Sequence, residues 1–572
     1  MPIRLGCLAA ALLLAATACK AANPPPARPR RLLPALGAVQ PLRLNGETRP
    51  AALLRRGERR SATVATREGD RLVFAVGAGP GAPSRGRVRV EVRANGSTVF
   101  QGGVPLARGP RWWRHSADLP ASPELRLDFT AEWHGPADTA PPAEPWIALG
   151  SPRIYAAGDR PGRVVLWISY DTLRADRLGA WGHSRPTSPR LDARLRDFVV
   201  FDEAISTSSW TLPALASQMT ARYPSAHGAV HPRAALSPGV RTVFEELADA
   251  GFTVLGVTAN VYVSTEYGLW RGFDALWYTQ GRALGVGVLA RRALAERGSG
   301  DLALFLHYMD PHTPYAPPPP FDLRFDPGYG GPVDGRNYAD RGPLTPADLE
   351  HVKALYDGEI AYADEEVDTL IRDLAKDALL EDAVIVVSAD HGEEFLEHGS
   401  WNHGGTLFRE VVHVPLALRV PGVPGRRVAD PVSLVDLAPT LLDAVGVARP
   451  STFMGRSLLP MLRGESRRPE PIFAETELTA TRHHAIGVRE GRHSYVLRLG
   501  GSEPAGGREA LYDVQNDPAE TIDRSRASPD AARLRSVADA FLERQKAAAA
   551  PPRAAPLGSE SLEKLRALGY IQ

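Results

Sequence analysis

The sequence predicts a doubly wound α/β domain, with a mostly parallel sheet flanked by helices. Three observations predict it. Residues 164–168, 252–257, 302–306 and 384–387 are continuous apolar runs, as expected of strands buried on both faces. Helical patterns separate them, the clearest at residues 347–375. Polar residues follow three of the runs directly, where open α/β sheets place their ligands.

The rest of the chain falls around this domain. At 572 residues it is long enough for two or three folded units, and 44% hydrophobic with 23% charged residues marks it as globular. A formal net charge of +1 gives no basis for a nucleic-acid surface, so none is expected. We read residues 1–18 as a signal peptide, 19–42 as a Pro/Ala-rich tether and 43–158 as a β-rich accessory module. The α/β domain then spans 162–465, a small α+β subdomain 466–525, and a helical tail 526–572.

Arg4 followed by an apolar stretch and the small residues Thr17 and Ala18 is an export pattern too short to span a membrane. The run Ala16-Thr17-Ala18-Cys19 is similar to a bacterial lipobox, which implies a lipidated Cys19 and a membrane-anchored protein of the cell envelope. The alternative is a plain cleaved signal and a secreted protein. The 2 cysteines are Cys7 and Cys19, so the exported body has no disulfide and no thiolate metal site.

In the accessory module, Arg87-Val88-Arg89-Val90-Glu91-Val92 alternates cleanly, and Asn95-Gly96 marks a hairpin turn, which suggests a small sandwich. Trp112, Trp113 and Trp133 are expected to pack in its core, with sugar stacking as the alternative.

The chemistry gathers after the strands. The first run delivers Asp171, the run at 302–306 leads to Asp310 and His312, and the run at 384–387 leads to Asp390 and His391. One acidic residue after a strand is ordinarily a turn former. Three such endings, two pairing Asp with His, point to a metal site. Thr211 precedes Pro213 at a predicted helix start, where a hydroxyl is by default a cap, but where an anion is also well seated. A hydroxyl touching a divalent cation there becomes nucleophilic.

These residues sit in a series of motifs. Ser169-Tyr170-Asp171-Thr172-Leu173-Arg174-Ala175-Asp176 is followed by Arg185-Pro186-Thr187-Ser188-Pro189, then Thr211-Leu212-Pro213 and Tyr223-Pro224-Ser225-Ala226-His227-Gly228. Asp310-Pro311-His312-Thr313-Pro314-Tyr315, Ser388-Ala389-Asp390-His391-Gly392-Glu393, His403-Gly404-Gly405 and Leu511-Tyr512-Asp513 complete it. In this order they resemble the sulfatases of the alkaline phosphatase superfamily. The resemblance runs from about residue 164 to 520 and leaves out the β-rich module.

The resemblance implies that Asp171, Thr211, Asp390 and His391 bind a metal ion, with Thr211 also the nucleophile. It implies that His312 and His403 contact the anionic group or protonate its leaving oxygen, a duty suited to a side chain with an ordinary pKa of about 6.5. Tyr308 is expected behind the site, and Asp310, His398 and Glu393 there or on a second ion, which Asp310, His312 and His403 could hold; His398 is alternatively a loop residue, and one ion is favoured. Two carboxylates, an imidazole and an alkoxide suit Zn or Mn, and accept Ca or Mg with added waters.

Departures from the family pattern redirect the chemistry. Sulfatases carry cysteine or serine, converted to formylglycine, where this chain has Thr211, and arginine where it has Leu215. Threonine cannot become formylglycine. Thr172 replaces a second carboxylate, and no lysine occurs between Lys20 and Lys353. The ligand set is similar to the superfamily's threonine-nucleophile branch, which includes phosphodiesterases and phosphoglycerol transferases. Expected is therefore an exported hydrolase or transferase of sulfate or phosphate esters, phosphorus favoured, on a glycan or lipid head group. The alternatives are a sulfatase working without formylglycine and a decayed, glycan-binding surface lipoprotein, for which Leu215 speaks.

Overall fold

In the computed structural model, residues 30–571 are described except 56, 80–81, 83–85, 107–108, 135–146, 158–160, 339–341, 479–482, 501–506 and 568–569. The signal peptide and Cys19 lie outside the described residues. Among those described, no helix is long and apolar enough to cross a membrane.

The strand Pro161–Tyr170 lies at the centre of a large sheet, between parallel neighbours Gly300–Tyr308 and Ala383–Ala389. Thr253–Thr258 and Ala275–Tyr278 continue the parallel part on one side, while His413–Arg419 pairs antiparallel with Ala383–Ala389 on the other. Val164, Leu166, Ile168 and their odd-numbered neighbours Val165 and Trp167 are all buried, so both faces of the strand are covered, as its unbroken apolar run requires. The helix expected near 347–375 spans Pro346–Lys376. Its start is set by Thr345, whose hydroxyl accepts from Asp348 N while the Asp348 carboxylate accepts from Thr345 N.

The β-rich segment is a sandwich, but half of it belongs to the large sheet. Leu276 and Trp277 of Ala275–Tyr278 pair antiparallel with Thr48 and Glu47 of Glu47–Leu54, and the sheet runs on through Ile147–Tyr155, Arg71–Ala78 and Trp112–Asp118. The second layer is Arg59–Thr66, Ser122–His134, Arg87–Ala94 and Ser97–Pro105. Leu72, Phe74, Val76, Val88, Val90, Val92, Leu127 and Phe129 fill the space between. Asn95 and Gly96 both have positive φ, the two-residue turn that joins Ala94 to Ser97. Trp112 is buried against Leu44, Ala51 and Ala148, and its indole N–H donates to Glu47 O, so it is a packing residue.

The tether expected over residues 19–42 ends earlier than read. Arg30–Arg31 pairs with Ile147–Tyr155, Val39–Leu44 pairs with Glu47–Leu54, and Leu32, Leu33 and Leu36 are buried in the sandwich core. Three leucines outweigh the proline-rich composition around them. Towards the other end, four antiparallel strands between Ile472 and Asp513 carry the helix Asp530–Ala548, with Phe541 stacked on Phe473 at 4.0 Å.

Candidate active site

Register brings the site together. Tyr170 lies opposite Tyr308 on one side and Ala389 on the other, so the three central strands end level and Asp171 and Asp390 emerge side by side. The helix Thr211–Thr220 begins at the same end. Trp210 is its N-cap residue and offers no side-chain cap, and the Thr211 hydroxyl is turned away from capping into the cluster. Its Oγ1 lies 3.1 Å from His391 Nε2, donates to Asp171 Oδ2 at 3.5 Å and is 3.0 Å from the Tyr570 hydroxyl.

Each neighbour has a defined role in holding the others. Asp171 Oδ2 accepts from Asn260 Nδ2 at 2.7 Å and lies 3.4 Å from His307 Nε2. Asp390 Oδ1 accepts from the backbone N–H groups of His391 and Thr172. Thr172 pays for that N–H direction with a left-handed backbone, φ 55°, unusual for a β-branched residue. His391 Nδ1 donates to Gly392 O at 2.9 Å, which leaves Nε2 as a lone pair facing both carboxylates at 3.6 Å. Gly392 has no room for a side chain, since a Cβ would meet Glu410 O at 2.0 Å.

Asp171 Oδ1, Asp390 Oδ2, His307 Nε2 and His312 Nε2 are buried and find no hydrogen-bond partner among the described residues. Asp171, His307 and Asp390 each offer a ligand atom within 4.8 Å of the others. The orphaned atoms of Asp171, His307 and Asp390, gathered around one point, fit a divalent cation. Charge agrees. Burial would raise Asp171, but the facing imidazoles of His307, His312 and His391 hold it low, while burial and the Asp171 charge push Asp390 up. Two carboxylates this close cannot both ionise comfortably without a counter-charge. Burial, helped by His403, keeps His391 neutral, as a metal ligand must be.

The remaining imidazoles differ. His312 Nδ1 donates to Thr313 O at 2.6 Å, and burial lowers its pKa. Burial opposes the charge on His403 too, but the Glu393 carboxylate, 2.8 Å from His403 Nδ1, outweighs it and raises the pKa. Their rings lie 5.1 Å apart.

Asp171, Thr211, Asp390, His391, His312 and His403 are thus brought together, with Glu393 behind His403. Asp310 is not among them. Its carboxylate accepts from Ala283 N, at the start of the helix Ala283–Leu294, and burial raises it to about 6. His398 also lies elsewhere, stacked on Phe408 and paired with Glu410. Neither is placed for a second ion beside Asp171. Tyr308 stacks on Tyr170 below the site. Leu215 is buried apolar core. Three residues of the cluster were not read from the sequence. Asn260 follows the strand Thr253–Thr258, and the strand-end rule applied to it would have found it; His307 sits within an apolar run; Tyr570 carries no local signal.

Residues 163–447 match the family model "Sulfatase", and residues 397–544 match "N-sulphoglucosamine sulphohydrolase, C-terminal". Choline-sulfatase from Rhizobium meliloti (strain 1021) is 34% identical over 182 residues, 31% of this chain and 34% of that protein. Arylsulfatase K from Mus musculus is 29% identical over 198 residues, 33% and 35% of the two chains. The chain spans about a third of the length of these relatives. Among solved structures, a phosphonate monoester hydrolase of Agrobacterium radiobacter matches with a TM-score of 0.55 at 22% identity, covering 68% of this chain and 96% of that one. A protein in complex with its substrate D-Glucosamine-2-N, 6-O-disulfate matches with a TM-score of 0.58 at 17% identity, covering 67% and 97%. These structural likenesses are of fold.

Proposed function

This chain belongs to the sulfatase family through residues 163–447, and on that premise we propose that it is a metal-dependent hydrolase or transferase of anionic esters that uses Thr211 as its nucleophile. The observation that carries this is the Thr211 hydroxyl itself: fully buried at a helix N-terminus, it faces His391 Nε2 and Asp171 beside the carboxylate oxygens Asp171 Oδ1 and Asp390 Oδ2, which have no hydrogen-bond partner among the described residues.

Asp171, Asp390, His391 and Thr211 would hold the ion, with His307 as a fifth candidate. The bound ion would lower the pKa of the threonine hydroxyl and screen the charge of the ester oxygens. Thr211 Oγ1, its proton lost to solvent, then attacks phosphorus or sulfur, a Thr211 ester forms, and the bond to the leaving oxygen breaks. His403, held protonated by Glu393, gives its proton to that oxygen. In the second half His403 takes a proton from the acceptor, water or an alcohol, which attacks the Thr211 ester and frees the Thr211 oxygen as the alkoxide. His312 presents an acceptor nitrogen in its neutral form, and an arriving anion favours its protonation and hydrogen bonding to the ester.

Thr211 has no route to formylglycine, so release through an aldehyde hydrate is closed. A threonine ester of phosphorus is the better supported intermediate, and phosphodiesters or phosphonate monoesters the better supported substrates; a sulfatase working without formylglycine is the second reading. The two imidazoles, His391 and His307, favour zinc or manganese over calcium. Export, by residues 1–18 with Cys19 as lipid anchor, belongs to the same proposal and rests on sequence alone.

The test is a screen of aryl sulfate, phosphate monoester, phosphodiester and phosphonate monoester with metal-stripped protein reloaded with Zn, Mn or Ca. Turnover with metal that persists in Thr211→Ala would overturn the nucleophile; protein that binds no divalent ion would overturn the catalytic reading.

A further inference from the structure

Residues 549–567, with 570–571 beyond them, leave the helix Asp530–Ala548 and run back over the α/β domain as a strap. Ala550 N donates to Ala226 O, Ala235 N donates to Arg553 O, and Ala555 N donates to Arg233 O, each at 2.8 to 2.9 Å. Ala234 and Ala554 form an isolated bridge. The helix Ser559–Ala567 follows, fastened by Leu565, which is fully buried in the main core, and by Lys564 over the Tyr278 ring. Beyond it Tyr570 is 3% exposed. Its ring packs 5.1 Å from that of Tyr262 and 6.0 Å from those of Trp210 and His403, and its hydroxyl lies 3.0 Å from Thr211 Oγ1 and 3.2 Å from His403 Nε2.

A tyrosine that only packs finds a carbonyl or water for its hydroxyl. Here both partners are the reacting groups. For the proposed chemistry, phosphorus or sulfur must approach Thr211 Oγ1 to about 3–3.5 Å, and the leaving oxygen must reach His403. The Tyr570 hydroxyl already meets both groups, and it closes the site: Thr211, Asp171, Asp390 and His391 have no exposed surface. Two oxygens cannot share that position.

We infer that Tyr570, carried by the strap, is an internal occupant of the substrate seat, and that the strap must withdraw it before an ester can bind at Thr211. The strap is built to leave. Only Ser561 and Leu565 of its helix are buried, a nine-residue helix has little stability of its own, and residues 549–557 are Ala- and Pro-rich with few backbone bonds to the domain. An occupant of this kind lowers apparent ligand affinity by the fraction of molecules in which the seat is free.

The inference rests on the reading of Thr211 and His403 above, so its test uses binding as well as turnover. Metal-loaded full-length wild type, Tyr570→Ala and Leu565→Ala are titrated calorimetrically with inorganic phosphate, and assayed on the best substrate of the screen. Near-ultraviolet circular dichroism checks that each variant keeps its packing. Both variants should bind phosphate about tenfold or more tightly than wild type, with the gain in kcat/KM coming through KM. Leu565→Ala leaves the phenol itself intact, so it separates displacement from loss of a catalytic hydroxyl. Equal phosphate affinity in all three proteins would overturn the strap and leave the site reading standing. So would reduced turnover in Tyr570→Ala without tighter binding, since Tyr570 would then be part of the machinery. Absence of phosphate binding in every protein would overturn the anion seat at Thr211, and the strap's role with it.

Discussion

Glu393 Oε1 accepts a 2.8 Å hydrogen bond from His403 Nδ1, and this contact sets His403 apart from the other imidazoles around Thr211. Burial lowers His312 and His391, while the Glu393 charge overcomes burial at His403 and raises it. A group that donates a proton is useful below its pKa, so kcat/KM should fall as pH rises through that of His403. Glu393→Gln keeps an oxygen acceptor but removes the charge, so His403 titrates lower and the descending limb moves to lower pH. Loss of a general acid is worth about 10²- to 10⁴-fold, so a deficit approaching that size should open near neutral pH. A pH–rate profile in which the limb stays in place would refute the assignment.

Thr211 is buried and its hydroxyl is the proposed nucleophile, so Thr211→Ala should lower kcat by about 10³-fold or more. Thr211→Ser keeps the hydroxyl and should retain part of the rate. Mass spectrometry of acid-quenched reactions should find the substrate's phosphoryl group on the Thr211 peptide in wild type and on the serine variant, and no adduct in Thr211→Ala. An adduct on any other residue would move the nucleophile.

His307 is the residue that most directly tests the metal site, because nothing in the proposed proton transfers uses it. Its Nε2 is orphaned 3.4 Å from Asp171 Oδ2, and its Nδ1 is held by Ser169 Oγ at 3.2 Å. His307→Ala should weaken metal affinity by about 10- to 100-fold. Chelation should lower the melting temperature of wild type, since an ion at 100 times its Kd adds about 2.7 kcal/mol to the folded state, and this response should shrink in His307→Ala. Unchanged metal affinity by calorimetry would remove His307 from the site.

The parts of the site legible in the sequence are those that obey a local rule. Asp171, Asp390 and His391 directly follow apolar strands, Thr211 opens a helix, and His312 and His403 lie in ordered motifs. The same rule misplaced Asp310, because residues 310–312 form a turn, closed by His312 N donating to Met309 O, and Asp310 turns to the start of the helix Ala283–Leu294. His307 was hidden because a histidine within a buried strand reads as core. Tyr570 and the Glu47–Leu54 to Ala275–Tyr278 pairing depend on contacts across hundreds of residues, and no local period encodes them. Hence the β-rich segment read as a separate module although its sheet is continuous with the central one.

Glu359 gives the fold a pH dependence separate from catalysis. Burial, with the nearby Asp310 charge, pushes it up to about 8, although Arg282 and the Ala316 N–H draw it down. A carboxylate raised in the folded state holds its proton more tightly there, so its contribution is complete at low pH and is lost as pH rises from its ordinary range through 8. Wild type should therefore lose melting temperature between pH 6 and 8.5. Glu359→Gln keeps the oxygen that Ala316 N donates to, removes the titration and should flatten that decline. Parallel melting curves for the two proteins would show that Glu359 does not ionise in this range.

Arg49 tests whether the β-rich segment and the α/β domain are one structure. Its buried guanidinium pairs with Glu47 and Glu296 and lies 6.0 Å from the Trp112 ring and 5.8 Å from the Trp277 ring, at the strand pair that joins the two halves of the sheet. Arg49→Ala would leave two buried carboxylates to the more exposed Arg292 and Arg114. Breaking a buried pair costs about 3–5 kcal/mol, and the remaining arginines should keep the loss near the lower figure. Because the sheet is continuous, denaturation followed by far-ultraviolet circular dichroism and by turnover should shift together. A protein lacking residues 30–157 would expose Ala275–Tyr278 as an unpaired sheet edge and should aggregate. If Arg49→Ala instead melted the sandwich alone while turnover survived to the wild-type midpoint, the segment would be an independent module after all.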